Sequence, residues 1–170
     1  MNKGHAVTYY RDSSVTQDRV GELDNYYVSA ISAHMGPNVI ELTRGDVSSA
    51  DRQVTGSELA SMFTKNPQGM IYLDGCSSFS PSANSALANA VKNKEWLSGG
   101  YTVSVNAKGD NLLMSKFFDY LTRGYTARQS ATKASNDVYN SLGVRITTVW
   151  TPSNHDFIIV TGKQIGRAHV

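Results

Sequence analysis

Only one cysteine, no Lys/Arg run of four, no long apolar stretch, no Asn-x-Ser/Thr sequon and no internal repeat occur in this 170-residue sequence. Each absence excludes something. A lone cysteine, Cys76, cannot close an intrachain disulfide or build a thiolate zinc site, which removes a disulfide-stapled scaffold and a zinc ribbon together. Sixteen basic against fourteen acidic residues leave a net charge of only +2. With the cations scattered, no electrostatic footprint for nucleic acid or an anionic lipid surface is expected. The opening residues, Met1 to Thr8, lack the apolar core of a signal peptide, and nothing approaches the roughly 18 apolar residues of a membrane span. The expectation is a soluble, cytoplasmic chain. At 40% hydrophobic, it has the size and composition of one globular domain.

What is present is an alternation of short apolar runs and amphipathic segments. Ala6–Tyr10 reads as a strand, and a brief helical turn is expected around Gln17 to Leu23. Val28–Ala33 and Met70–Leu73 are continuous apolar runs, the pattern of parallel strands covered on both faces. Val39–Leu42 reads as an edge strand or hairpin, and Gly56–Phe63 as a short crossover helix. Ser82 is placed to cap a helix bearing Ala83, Ala86, Leu87, Ala90 and Val91 on one face. Gly100–Val105 is the next predicted strand. Asp110 is read as the cap of a helix that turns Leu113, Phe117, Tyr120 and Leu121 inward until Gly124. Thr126 and Gln129 form a capping box for a helix with Ala127, Ala131, Ala134 and Val138 on one stripe, ended by Gly143. Val144–Trp150 and Phe157–Val160 are the last predicted strands. The expected fold is α/β, a three-layer αβα sandwich around a mostly parallel sheet.

Two of the apolar runs end in reactive side chains. Met70-Ile-Tyr-Leu-Asp-Gly-Cys76 stops at the cysteine among small and polar residues, and Tyr26-Tyr-Val-Ser-Ala-Ile-Ser-Ala33 stops at His34, followed by Met35-Gly36-Pro37. In open α/β sheets, ligands gather at the carboxyl ends of strands. A thiol needs a nearby base to be a good nucleophile near neutral pH, so the pairing predicts a Cys/His site. Gly75 lets a substrate backbone approach, and backbone N–H groups at Cys76 and in the Met35-Gly36 turn are candidates to hold a developing oxyanion. Ser77 and Ser78 read as loop hydrogen-bonders. Considered singly, Cys76 also fits a small buried apolar residue, and His34 a strand-end histidine satisfied by a carbonyl.

With these residues in place, the chain resembles the caspase-like cysteine peptidases, which include clostripain-type enzymes, separases and CHAT domains. Ser32-Ala-His34 and Leu73-Asp-Gly-Cys-Ser-Ser78 carry the likeness, and the order of downstream segments extends it over about residues 26 to 162. The resemblance implies a caspase-haemoglobinase-like fold and a cysteine endopeptidase. Cys76 would attack the scissile carbonyl, and His34 would protonate the leaving amine. It also implies that Asp74, two residues before the cysteine, binds a basic side chain of a peptide or protein substrate, so that cleavage follows Arg or Lys; the other use for Asp74 is to cap a loop. No cofactor and no metal are implied, and a protein partner in a larger assembly is compatible with such domains. Met35, standing between His34 and Gly36, predicts a distorted oxyanion turn.

The competing readings are a catalytically inactive caspase-like interaction module and a flavodoxin-type ligand-binding domain; the second lacks a glycine-rich phosphate cradle. The family implies a strand and helix ahead of Ala6, so the domain, residues 1–164, is expected to be partial at its amino end and to lack an inner strand. Residues 165–170, Ile-Gly-Arg-Ala-His-Val, read either as an adapter-derived tail or as an ordinary polar terminus.

Overall fold

A computed structural model describes residues 7–11, 15–42, 53–63, 69–80, 85–91, 97–102, 105–151 and 165–169. Six strands form the main sheet: β1 (Val7–Arg11), β2 (Val28–Ser32), β6 (Met70–Asp74), β7 (Leu97–Tyr101), β8 (Thr148–Thr151) and β9 (Ile165–His169), in the order β1-β9-β2-β6-β7-β8. Every pairing is parallel except β7 with β8. A second, antiparallel sheet joins β3 (His34–Met35), β4 (Val39–Glu41) and β5 (Gln53–Thr55). The described helices are α1 (Gln17–Gly21), α2 (Gly56–Met62), α3 (Ala86–Val91), α4 (Ala107–Thr122) and α5 (Ala127–Leu142).

The apolar runs of β2 and β6 are buried along their whole length because both faces of the sheet are covered. The strand period of two divides their side chains. Ile31, Ile71 and Leu73 pack with Leu59 and Phe63 from the α2 segment and with Leu87 and Val91 of α3. Val28, Ala30, Met70 and Tyr72 meet Leu113, Met114, Phe117 and Leu121 of α4 and Ala127, Ala131, Ala134 and Val138 of α5. The chain is thus mixed α/β with a mostly parallel sheet flanked by helices, an arrangement compatible with an αβα sandwich.

Several elements depart from the sequence pattern. β7 lies at 97–101, three residues before the predicted start, and runs through Gly99 and Gly100. A Cβ on Gly99 would lie 2.3 Å from the Trp150 ring, and one on Gly100 would lie 2.4 Å from Ser78 Oγ. These glycines are kept in the strand by what packs against them, against their low strand propensity. α4 is capped by Asn106, whose side chain accepts from the Gly109 N–H at 2.7 Å. Asp110 therefore sits inside the first turn and is not the cap. Tyr120 is also not inward: its hydroxyl donates to Asp137 at 2.9 Å, and Met114 takes the buried place. The Thr126–Gln129 capping box and the αL cap at Gly143 form as expected. β8 (Thr148–Thr151) overlaps the predicted Val144–Trp150 strand only at 148–150, while Ser82 and the Phe157–Val160 strand fall outside the described residues.

Residues 165–169 occupy an inner sheet position, with Ile165 opposite Val28 and His169 opposite Ser32.

Candidate active site

The parallel register sets Ser32 beside Asp74. Ala33 N–H continues the ladder by donating to Asp74 O at 3.2 Å. From that shared rung each chain runs two residues further, one to His34 and the other to Cys76, so the two reactive side chains leave adjacent strands at the same offset. Neighbouring strands are about 4.8 Å apart. Both residues line one pocket of about 260 Å³, together with Ser32, Ala33, Gly75, Val105, Ala107, Asp110 and Asn111. It opens beyond the carboxyl ends of β2 and β6, where the topology of such sheets collects ligands. The volume lies just below the ~300–1,000 Å³ of drug-sized ligand sites and suits one extended side chain.

Cys76 is partly buried. Its Sγ rests on the Val105 peptide: Val105 N–H donates to Sγ at 3.5 Å, and the thiol faces Val105 O at 3.6 Å. These two contacts fix where the sulfur sits at the mouth of the turn. No hydrogen bond joins Cys76 to His34, which is exposed at the start of β3.

The turn after the cysteine is tightly held. Ser77 has φ 55°, the one described non-glycine residue in the left-handed region, a conformation that side chains adopt only under compensating contacts. The compensation comes from its neighbours. Buried Ser78 donates to Leu73 O at 2.8 Å and accepts from Tyr101 N–H at 3.2 Å, while Phe79 N–H donates to Tyr101 O at 2.8 Å. The Ser85 hydroxyl binds Ser78 O and Pro37 O, and so ties the cysteine turn to the loop after His34. Ser78 thus acts as the loop hydrogen-bonder its position suggested.

Met35 has a defined place in the histidine segment. Strand alternation turns His34 outward and Met35 inward, where it is 7% exposed and packs over Gly75. A Cβ on Gly75 would lie 2.4 Å from Met35 Cγ and 2.7 Å from Ala33 O, which is the close approach that requires glycine there. The oxyanion donors are narrowed accordingly. Gly36 N–H donates to Val39 O at 3.0 Å and Gly75 N–H to Leu73 O at 3.1 Å, so both are already engaged. Because Gly36 and Val39 form a bonded pair, Met35 opposite Ile40 is a non-bonded one, and its N–H points away from β4. The Met35 and Cys76 N–H groups donate to no turn or loop carbonyl among the described residues and are the remaining candidates, although the Met35 side chain lies outside the pocket lining.

Asp74 is fully buried and does not line the pocket. The strand period places it on the α4 face, two residues beyond Tyr72. Its Oδ1 accepts from the Tyr101 hydroxyl at 2.7 Å, and its Oδ2 has no partner. Burial holds this carboxyl well above the usual carboxylate range, and the Asp110 charge and its hydrogen bond raise it further; the Tyr101 and Ser32 hydroxyls oppose the shift. Asp110, from the first turn of α4, is the carboxyl that lines the pocket. The sequence pattern reads Asp110 as a cap; a carboxylate at the start of a helix that follows a strand is the local signal for its place at the strand ends.

A carboxyl whose folded pKa exceeds its unfolded value favours folding while protonated. That contribution is complete below the ordinary carboxylate range and is lost as pH rises through the raised value. Asp74→Asn keeps an acceptor for Tyr101 without the ionisation. In urea titrations across a pH series, wild type is expected to lose stability relative to Asp74→Asn as pH rises above about 4, by up to ~1.4 kcal/mol per pH unit. Parallel stability profiles would contradict the buried-proton assignment.

No protein-family model matches the chain, and no curated protein matches it. Among the described residues, no group of three or more His, Cys, Asp or Glu side chains is placed to hold a metal ion, and no helix is long and apolar enough to cross a membrane.

Proposed function

We propose that the chain is a caspase-like cysteine endopeptidase that cleaves after a basic residue. The observation that carries this reading is the shared pocket of His34 and Cys76, reached from adjacent parallel strands at equal offset. The Cys76 thiolate adds to the scissile carbonyl carbon, and the oxygen takes up the negative charge between the Met35 and Cys76 N–H groups. The C–N bond then breaks while the His34 imidazolium gives its proton to the departing amine, leaving a thioester on Cys76. Water, deprotonated by His34, attacks the thioester; the acid product leaves, and the thiol is regenerated. Asp110 at the pocket wall, backed by Asp74, supplies the negative side expected for a basic substrate residue.

Reporter peptides test the substrate class. Hydrolysis after arginine is expected to exceed hydrolysis after aspartate by at least ~100-fold in kcat/KM, because an aspartate would meet a like charge. A preference for aspartate would overturn the assignment of the pocket wall.

A catalytically inactive caspase-like interaction module is the second reading, favoured by the Cys76 Sγ contact with the Val105 peptide and the lack of a hydrogen bond to His34. Apo sites often tighten only with substrate. The rate of Cys76 alkylation by an arginyl chloromethyl ketone separates the two: fast and arginine-dependent for a peptidase, slow and ordinary for the module.

A further inference from the structure

The proposed specificity for basic residues rests on a pocket wall with an unusual feature. Two buried oxygens, Asp110 Oδ1 from the wall residue and Asp74 Oδ2 from the residue behind it, have no hydrogen-bond partner. Unpartnered buried carboxylate oxygens are costly, and two of them side by side would repel each other. The side chains of Asp74 and Asp110 are within hydrogen-bonding reach of each other. With Asp74 Oδ1 occupied by the Tyr101 hydroxyl, a single proton on Oδ2, donated to Asp110 Oδ1, satisfies both orphaned oxygens.

We infer that Asp74 and Asp110 form a one-proton carboxyl pair, and that a guanidinium entering the pocket displaces this proton as it binds Asp110. The inference rests on the peptidase reading only for the identity of the guanidinium as a substrate side chain. A planar fork binds a carboxylate best through both oxygens. To do so at Asp110, it takes the acceptor that the Asp74 proton occupies. Its charge beside Asp74 then favours the carboxylate form, and the proton goes to solvent. Charge balances: one cation enters and one proton leaves. Asp110 becomes the residue that touches substrate, and Asp74 a positioning residue that makes binding sensitive to pH.

Tyr72 Oη, near Asp74, is a further buried oxygen without a partner, and the Tyr101 hydroxyl also lies near Asp110. Tyr72 and Tyr101 stand on the β6 and β7 side, both held well above the ordinary phenol range chiefly by burial, and so stay neutral. Ser32 offers a hydroxyl from β2. His34 and Cys76 share the pocket, Lys108 on α4 is exposed, and His169 of β9 stands opposite Ser32 in register. Since His34 also repels a cation when protonated, a test has to separate its effect from that of the pair.

Calorimetric binding of agmatine, a guanidinium probe, to the full chain does this when repeated between pH 5 and 8 in buffers of different protonation enthalpy. Wild type is expected to release close to one proton per agmatine at the acid end and to bind up to ~tenfold tighter per pH unit there. Asp74→Asn, which retains His34, is expected to bind with little proton release, so that the difference between it and wild type isolates the pair. Asp110→Asn is expected to lose at least ~tenfold in affinity. Wild-type binding without proton release, or Asp110→Asn binding as well as wild type, overturns the inference. Both results are read without cleavage. If no Cys76-dependent hydrolysis exists, the pair still stands on agmatine binding; if hydrolysis after arginine occurs without linked proton release, only the pair falls.

Discussion

Cys76→Ala is expected to abolish hydrolysis of an arginyl reporter peptide, lowering kcat/KM on the order of 10⁴-fold or more, the scale of removing a covalent nucleophile. The fold should persist. Cys76 is only partly buried, and its sulfur is held by two long contacts with the Val105 peptide instead of filling the core. Circular dichroism melting within a few degrees of wild type checks that expectation. The turn around it stays pinned by Ser78 and Ser85, neither of which uses the thiol. His34→Ala removes the proton donor to the leaving amine and should cost ~10²–10⁴-fold while leaving Cys76 alkylable by iodoacetamide. Residual activity of Cys76→Ala within tenfold of wild type would place the nucleophile elsewhere and end the peptidase reading. An unreactive wild type with a normal fold would favour the interaction module.

Tyr72→Ala is expected to be the most destabilising single change in the core beneath the site. The ring is fully buried and stacks on Trp150 at a centroid distance of 5.2 Å and on Phe117 at 5.4 Å, with Tyr101 edge-on at 5.9 Å. Deleting it removes the shared partner of three other rings and leaves a cavity between β6 and α4. Such truncations cost ~3–5 kcal/mol. For a chain of this size, that lowers Tm by roughly 6–20 °C. Tyr72→Phe keeps every ring contact and should cost under about 1.5 kcal/mol. If Tyr72→Ala melts within two or three degrees of wild type, the aromatic stack does not hold α4 against the sheet. In that event, the position of Asp110 on α4 would also lose its support.

Much of the scaffold was legible from periodicity. The runs in β2 and β6, the α5 stripe and its capping box are local signals, written in consecutive or helically spaced residues. β7 begins three residues before the predicted Gly100–Val105 strand and carries both Gly99 and Gly100, residues of low strand propensity. Their strand conformation is imposed by Trp150 and by the cysteine turn, which come from other parts of the chain. The position of β9 was likewise unreadable: Ile-Gly-Arg-Ala-His does not look like an inner parallel strand, and only pairing with β1 and β2 places it there.

The site divides along the same line. Cys76 and His34 stand out in the sequence because each ends an apolar run, Asp74 is singled out only by the family resemblance, and the chemistry of a thiol and an imidazole follows from residue type alone. That His34 and Cys76 share a pocket depends on the Ser32–Asp74 register, a long-range pairing with no local signature. The inward turn of Met35 and the engagement of Gly36 are hairpin properties. Asp110 faces Asp74 because α4 crosses the sheet at that point, and burial beside that second carboxyl, more than sequence, decides where the proton resides. Local pattern names the reactive groups, whereas dielectric, register and packing are sums over distant residues and exist only once the chain has folded.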